Sequence, residues 1–313
     1  MRRMTGCPGE SQTASPHPYP MPRHVTPLSL SNADVYRRWR DAKLADLPGS
    51  PADLVVDVRD PRQLSDLEAD AIRDRCRRWN MAVYRAAVGD DPDKEIPRLL
   101  GARFGLHRLD HNPGADEDAI TAVTIQSDAL HRGYIPYTDR PIAWHTDGYY
   151  NSPPRQIRAF ILHCVHAAAA GGDNALLDPE IVYIRLRERD PALIRALMCS
   201  DAMTIPPNIV DGKALRPASA GPVFLSGARG RLAMRYTDRR RNIEWRDDAA
   251  TQAAVAALRE ILDADDTPVM RLRLEPGWGV ICNNVLHART RFSDGDAPRL
   301  LYRARYYDRI EGT

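Results

Sequence analysis

The sequence lacks the features that mark several large classes of protein. Its 313 residues include five cysteines, an odd number at wide spacing and without a CxxC pair. This usage argues against a disulfide framework and against a structural zinc knuckle. No apolar run approaches the roughly 18 residues that a membrane span requires, and the basic N-terminus has no apolar signal segment behind it. We therefore expect a cytoplasmic protein with reduced thiols and no membrane contact.

An excess of charge of one sign is also missing. The chain has 44 basic and 42 acidic residues, which leave a formal net charge of +2. This balance gives no reason to expect nucleic acid or an anionic membrane as a partner. The sequence has neither GxGxxG nor GxxxxGK[ST], so nothing indicates a nucleotide cradle. The sequence therefore does not predict a nucleic acid or a membrane as a partner.

The composition divides the chain into a tail and one domain. Residues 1–30 are rich in Pro, Ser, Thr and Gly, which predicts a flexible N-terminal tail. Residues 31–313 predict a single domain. Its N-terminal part covers residues 31–130, and a strand-rich core with a helical insert covers residues 131–313.

Turn and cap signals indicate where helices interrupt the strands. Ser65 opens a capping box before an apolar stripe at helical spacing. Asp178 and Asp190 each precede a proline, the pattern of an N-cap residue followed by the first helical position. A further helix is predicted over residues 247–264. Short strands between these helices, without regular βαβ alternation, predict a mainly β fold with helical inserts (α+β), either a sandwich or a barrel.

The segment "WHTD" contains the first candidate site residues. Residues i and i+2 of an extended segment point to the same face, so His145 and Asp147 present a nitrogen and an oxygen to a common point. His287, at the end of the apolar alternation in "CNNVLH", is the third candidate. Two imidazoles and one carboxylate form the facial triad of non-haem Fe(II) oxygenases. A lone HxD is common by chance, and a hydrogen-bonded histidine or a turn aspartate is the alternative at each position alone.

Arginines at a fixed distance from His287 support this hypothesis. Arg299 and Arg303 follow it by 12 and 16 residues and share one face of a predicted strand. An Fe(II) site with open coordination positions suits a bidentate acidic co-substrate. The far carboxylate of such a co-substrate, when buried, needs a fixed cation, and the guanidinium fork of arginine matches a carboxylate best. The alternative for either residue is a surface ion pair, which we expect for Arg305.

Taken together, these motifs resemble the taurine dioxygenase-like (TauD/TfdA) family of Fe(II)- and 2-oxoglutarate-dependent oxygenases. The segments "WHTD", "GGDN", "LEPGWGVICNNVLHAR" and "RLLYR" occur in the family's order within residues 134–308. They look most like the γ-butyrobetaine and trimethyllysine hydroxylases, although the cysteine spacing lacks the zinc-binding segment of those relatives. The resemblance implies a double-stranded β-helix (jelly-roll) core and a dioxygenase that uses Fe(II), 2-oxoglutarate and O2. It also implies a small-molecule substrate and release of succinate and CO2, and it makes a homo-oligomer possible because family members are often dimers or tetramers.

The resemblance assigns roles to individual residues. His145, Asp147 and His287 match the iron ligands, and Arg299 matches the arginine that clamps the distal carboxylate of 2-oxoglutarate. Asn174 in "GGDN" stands where the family usually has Thr or Ser donating to the same carboxylate. An amide also donates, but this position departs from the family pattern.

The substrate residues are less specific. Tyr137 matches a tyrosine of the cage that betaine hydroxylases form around a quaternary ammonium, and Tyr134, Tyr149 and Tyr150 are close to it in sequence. Packing of a loop or core is the alternative for these rings. Arg303 matches the arginine that meets an anionic substrate group in taurine-type enzymes. A zwitterionic or amine/acid substrate, hydroxylated at an unactivated C–H, satisfies both patterns.

Three other functions remain open from the sequence. The same oxygenase site can end in desaturation or cyclisation, because these outcomes differ only in how the substrate radical is held. A jelly-roll sensor can bind 2-oxoglutarate and metal without turnover. A zinc hydrolase with a similar His/Asp site is disfavoured by Arg299 and by the ordered motifs.

Overall fold

The computed structural model describes residues 26–111, 118–126, 134–210, 213–227, 230–239 and 243–313. Its α-helices are α1 (Ala33–Ala45), α2 (Asp66–Trp79), α3 (Glu95–Arg103), α4 (Pro179–Arg189), α5 (Pro191–Leu197) and α6 (Ala249–Asp263). The first strands are β1 (Val55–Val58), β2 (Met81–Ala86), β3 (Ile120–Val123), β4 (Ile142–His145), β5 (Ala159–His166), β6 (Ala170–Gly171) and β7 (Asn174–Leu177). Shorter strands follow: β8 (Met203–Ile205), β9 (Asn208–Val210), β10 (Lys213–Arg216), β11 (Ser219–Gly221), β12 (Phe224–Ser226), β13 (Leu232–Met234) and β14 (Glu244–Trp245). The last are β15 (Met270–Leu272), β16 (Trp278–Cys282), β17 (Leu286–Arg289), β18 (Phe292–Ser293) and β19 (Leu300–Tyr306).

Two sheets carry the fold. The larger has six strands in the order β1-β2-β16-β5-β19-β3, and the smaller has four in the order β15-β7-β17-β4. Within these two sheets, β1 and β2 are the one parallel pair, and α2 connects them along the chain. This single βαβ unit agrees with the absence of regular βαβ alternation in the sequence.

The inner faces of the two sheets pack against each other. Leu176 and Met270 of the smaller sheet join Phe160, Val280 and Leu301 of the larger sheet in one buried cluster. Helices α2 and α3 cover the outer face of the larger sheet, and α4, α5 and α6 pack on the smaller sheet. The described residues therefore form a mainly β molecule with helical inserts, as the sequence predicts.

The predicted helix starts agree with the observed ones. Ser65 forms the expected capping box at the start of α2. The side chains of Asp178 and Asp190 each accept a backbone hydrogen bond in the first turn of α4 and α5. Asp248 does the same for α6. Within the described residues, no helix combines the length and the apolar character that crossing a membrane demands.

The boundary of the predicted tail requires a correction. Residues 1–25 lie outside the described residues, but residues 26–30 pack on the helical layer. Leu28 is buried, and Arg187 of α4 donates to the backbone carbonyls of Pro27 and Ser29 at 2.9 and 3.0 Å. Composition misses these contacts because a buried arginine in another element supplies them. The folded domain thus includes residues 26–30.

Candidate metal centre

The three predicted ligand residues meet between the two sheets. His145 ends β4 and pairs in register with His287 of β17, so both imidazoles project from the same face. Their ring centroids are 4.1 Å apart. Asp147 follows two residues after His145, and the ligating atoms of all three side chains lie within 4.8 Å of one another. Register and strand alternation together produce the cluster that the sequence predicts.

Hydrogen bonds orient both imidazoles. Nδ1 of His145 lies 2.9 Å from the carbonyl oxygen of Ala143, and Nδ1 of His287 lies 3.0 Å from that of Val285. A carbonyl only accepts, so each Nδ1 carries the proton and each Nε2 keeps its lone pair. Burial, with a contribution from His287, lowers the pKa of His145 to about 3, and burial lowers the pKa of His287 as well. Both rings are therefore neutral ligands at neutral pH.

The Asp147 carboxylate is ionised although it is buried. Burial by itself would raise its pKa, but the guanidinium groups of Arg303 and Arg305 outweigh burial and hold the pKa well below its usual range. Nη1 of Arg303 lies 3.4 Å from Oδ1. Oδ2 has no hydrogen-bond partner among the described residues. A buried carboxylate oxygen without a partner, next to two free imidazole nitrogens, fits a divalent metal ion.

A buried arginine holds the loop that follows Asp147. Arg235 is almost fully buried. Its guanidinium donates to the backbone carbonyls of Tyr149, Met203 and Ser219 at 2.7, 3.1 and 2.7 Å. These bonds tie the segment beyond Asp147 to β8 and β11. No sequence pattern predicts this role, since Arg235 stands in an ordinary short strand-like run.

A second group of polar atoms points into the same interior. Asn174 of β7 pairs in register with Arg289 of β17, two residues beyond His287, so all three side chains share one face. Asn174 Nδ2 and Arg299 Nη1 are buried and have no hydrogen-bond partner among the described residues. Burial lowers the pKa of Arg299 to about 10. Two unpaired buried donors, one of them cationic, fit the carboxylate of a bound acid.

Arg289 is an arginine of this region that the sequence analysis did not select. Its Nη2 donates to the carbonyls of Thr138 and Arg140 at 2.7 and 2.6 Å, while its Nε is buried without a partner among the described residues. Burial and the neighbouring Arg299 lower its pKa to about 9. The guanidinium carbons of Arg289 and Arg299 lie 4.8 and 5.0 Å from the ring centre of Phe292. The two cations therefore flank one ring.

The four predicted substrate tyrosines do not share one environment. Tyr137 is buried and Tyr134 is 39% exposed, and the hydroxyl of Tyr134 accepts from Asn208 Nδ2 at 2.9 Å. Tyr149 and Tyr150 meet edge to face, with ring centres 5.3 Å apart. Tyr149 and Tyr150 therefore form one ring pair, whereas Tyr134 is hydrogen-bonded to β9.

Tyr150 is already in contact with arginines of the protein. Its hydroxyl accepts from Arg305 Nη1 at 2.8 Å. The guanidinium carbons of Arg305 and Arg216 each lie 5.8 Å from its ring centre. The expectation of a surface ion pair for Arg305 is wrong, because its ion pair with Asp110 is buried. The alternation of β19 turns Arg305 inward with Arg303, which a count of charges along the sequence does not reveal.

Comparison with known proteins gives consistent matches. The model of the taurine catabolism dioxygenase TauD, TfdA family matches residues 42–305. A uridine-5′-phosphate dioxygenase from Amycolatopsis sp is 35% identical over 273 residues, which make up 81% of this chain and 96% of that protein. Another from Streptomyces sp is 35% identical over 199 residues, or 60% of this chain and 69% of that protein. The non-heme iron oxygenase OrfP, solved in complex with Fe and alpha-ketoglutaric acid, has a TM-score of 0.56 at 19% identity and covers 85% of this chain and 89% of that one.

These matches test the predictions from sequence. The structural likeness confirms the jelly-roll oxygenase fold. The family match confirms an oxidoreductase of the dioxygenase class, with Fe(II), 2-oxoglutarate and O2 as its cofactor and co-substrates. The chain belongs to the TauD, TfdA family of dioxygenases.

Proposed function

We propose that His145, Asp147 and His287 bind the catalytic Fe(II). The observation that carries this proposal is the meeting of two neutral imidazoles and one ionised carboxylate within 4.8 Å. When bound, iron would let O2 oxidise 2-oxoglutarate to succinate and CO2 and would supply the oxidant for an unactivated C–H of the substrate. The chain itself holds both Nε2 atoms free of protons and keeps the Asp147 carboxylate charged.

Arg299 and Asn174 are the proposed contacts for the distal carboxylate of 2-oxoglutarate. Support comes from their buried donors without partners and from the position of Asn174 on the face that carries His287. The amide of Asn174 offers an N–H where the family usually offers a hydroxyl. The surrounding apolar cluster excludes water and strengthens these contacts.

The charges around the centre favour an anionic substrate. Asp110 neutralises Arg305, whereas Arg216 has no ion pair with a carboxylate among the described residues. The combined positive charge of Fe(II), Arg299 and Arg303 exceeds the combined negative charge of Asp147 and 2-oxoglutarate. The centre therefore carries a net positive charge that an anionic substrate can balance. We propose a small anionic substrate, with a nucleoside 5′-phosphate as the first candidate because the relatives are uridine-5′-phosphate dioxygenases.

A zwitterionic amine/acid is the second candidate substrate. The rings of Tyr134, Tyr137, Tyr149 and Tyr150 support it, since aromatic faces attract ammonium groups. The contacts of Arg216 and Arg305 with Tyr150 oppose it. Both candidates place an anionic group near Arg303, which lies next to the metal-ligand carboxylate.

The test is succinate release from 2-oxoglutarate with Fe(II), ascorbate and air. The panel contains uridine 5′-phosphate, uridine, betaines, amino acids and sulfonates, and His145→Ala is the blank. We expect uridine 5′-phosphate to raise succinate above the background without substrate, and uridine to raise it far less. If a betaine alone raised succinate, the zwitterion would replace the phosphate. If Arg303→Ala bound the substrate as tightly as wild type, the proposed contact between Arg303 and an anionic substrate group would be refuted.

Product analysis separates the remaining alternatives. Mass spectrometry of the product distinguishes a gain of one oxygen from a loss of two hydrogens, which marks desaturation or cyclisation. Succinate at the level of the His145→Ala blank under every condition would favour a non-catalytic sensor. The cytoplasmic location and the homo-oligomeric state stay predictions.

A further inference from the structure

Asn284 is buried in the turn between β16 and β17, three residues before His287. Its backbone has a φ of 51°, in the left-handed region where asparagine is tolerated better than most residues. The turn reverses the chain from the larger sheet into the smaller one. Asn284 therefore stands on the connection that delivers His287 to the metal centre.

The side-chain amide of Asn284 uses its oxygen and both of its N–H groups. Its Oδ1 accepts from the backbone N–H of Asp147 at 2.8 Å. Its Nδ2 donates to the backbone carbonyl of Asp147 at 3.0 Å and to that of Ile157 at 2.8 Å. The amide thus pairs with both polar groups of the Asp147 backbone, as a neighbouring strand would.

Asp147 itself makes few other hydrogen bonds. It lies beyond the end of β4 and just before Gly148, whose φ is 64°, so the β4–β17 pairing does not extend to it. The preceding Thr146 is bonded to the backbone of Tyr236 through its N–H and its hydroxyl, at 3.0 and 3.1 Å, and the Asp147 carboxylate has one long contact of 3.4 Å with Arg303. Among the described residues, the bonds to Asn284 are the ones that hold the backbone N–H and carbonyl of Asp147 itself.

We propose that Asn284 is a positioning residue of the metal centre. It holds the backbone of Asp147 against the turn that precedes His287. In this way it sets the distance between the Asp147 carboxylate and the imidazole of His287. This inference rests on the metal site proposed above. It concerns the ordering of the site before metal binds, and it requires no contact between Asn284 and the metal.

Loss of the amide has two expected effects. The N–H and carbonyl of Asp147 become buried groups without partners, which lowers the Tm. The affinity for the metal falls by roughly 10- to 100-fold, the usual effect of removing a group that orients a ligand. A role in stability alone would produce only the first effect.

Asn283 provides a matched control in the adjacent position. It is buried to the same degree, at 6% exposure for both asparagines. Its Nδ2 donates to Asn80 Oδ1 at 3.2 Å and to Thr313 Oγ1 at 3.0 Å, and these bonds do not involve Asp147. The same substitution at Asn283 therefore removes buried hydrogen bonds but leaves the hydrogen bonds to the Asp147 backbone in place.

The experiment is an anaerobic calorimetric titration of the metal-free protein with Co(II), without 2-oxoglutarate, beside thermal unfolding. The variants are Asn284→Gly, which keeps the positive φ accessible, and Asn283→Gly. We expect a 10- to 100-fold weaker Co(II) affinity for the first, unchanged affinity for the second, and a lower Tm for both. Equal Co(II) affinity of Asn284→Gly and wild type overturns the inference.

Two further variants keep the result decisive. If Asn284→Gly does not fold, Asn284→Gln takes its place, because it retains the amide but displaces it by one methylene. The same loss of Co(II) affinity is expected, and an unchanged affinity again overturns the inference. His287→Ala tests the metal site itself. If wild type bound Co(II) no better than His287→Ala, the proposed metal site itself would be refuted. If wild type bound Co(II) better than His287→Ala but Asn284→Gly matched wild type, only the role of Asn284 would be refuted.

Discussion

Replacing Arg299 by methionine separates binding from folding, because this arginine is buried without a carboxylate partner among the described residues. Burial lowers the pKa of Arg299 to about 10, and this shift corresponds to a destabilisation of the folded state by about 3 kcal/mol. At neutral pH the guanidinium is charged in both folded and unfolded chains, so this cost is fully present. It begins to decrease only as the pH rises above about 10, where the folded chain loses the proton before the unfolded chain does.

Arg299→Met removes that cost and retains most of the packing. The lost contact with the Phe292 ring is worth about 1 kcal/mol, so we expect a net gain of about 2 kcal/mol and a Tm higher by about 4 °C. The variant also loses the cation proposed to meet 2-oxoglutarate. Removing one partner of a buried charge pair costs about 2–5 kcal/mol, a factor of roughly 30 to several thousand in Kd.

The assay is thermal unfolding of the Mn(II)-loaded protein with increasing 2-oxoglutarate, since a ligand that binds only the folded state raises Tm. Wild type is expected to show a rise that Arg299→Met lacks. Arg187→Met is the matched control, because Arg187 is also a buried arginine. Its guanidinium donates to the backbone carbonyls of Pro27 and Ser29, so the same substitution removes these bonds and is expected to lower Tm while the response to 2-oxoglutarate is kept. If Arg299→Met lowered Tm as much as Arg187→Met, or kept the full response to 2-oxoglutarate, the reasoning would be refuted.

Three other predictions follow from the same structure. Arg305→Met leaves the Asp110 carboxylate buried without its cation, so urea unfolding should show a loss of about 3–5 kcal/mol; a loss below about 1 kcal/mol would contradict the buried pair. In Gly148→Ala, a Cβ overlaps Ile157 and meets an unfavourable φ of 64°, so Co(II) titration should show weaker binding, and full affinity would show that the turn adapts. Metal removal by EDTA should abolish succinate formation yet leave the far-UV circular dichroism unchanged, since the apolar clusters hold the fold; a collapse of the spectrum would make the metal structural.

Local chemistry explains the parts of the molecule that the sequence predicted well. The spacing of His145 and Asp147 at the end of β4 predicted that they meet, and the Asp-Pro pairs at Asp178 and Asp190 marked helix starts that the structure contains. These features depend on residues close in sequence. The family resemblance added Arg299, whose role depends on the distance from His287 along a shared fold.

Long-range partners explain what the sequence missed. Arg235, Arg289 and Asn284 act through bonds to backbone carbonyls or N–H groups far away in the chain, and a backbone group leaves no mark in a sequence. Residues 26–30 looked like a tail because their anchor is Arg187 of α4. The inward direction of Arg305 was missed because it depends on how β19 is oriented relative to the second sheet.

The register of one strand pair has a practical consequence for anyone preparing this protein. His145 and His287 are direct partners across β4 and β17, and a slip of a single residue would turn the side chains of the slipped strand to the opposite face. Misfolded chains of that kind can be compact and still bind no metal. On the proposed metal site, the metal that a batch binds at saturation therefore counts the correctly paired molecules, and activity divided by bound metal compares batches more fairly than activity divided by protein mass.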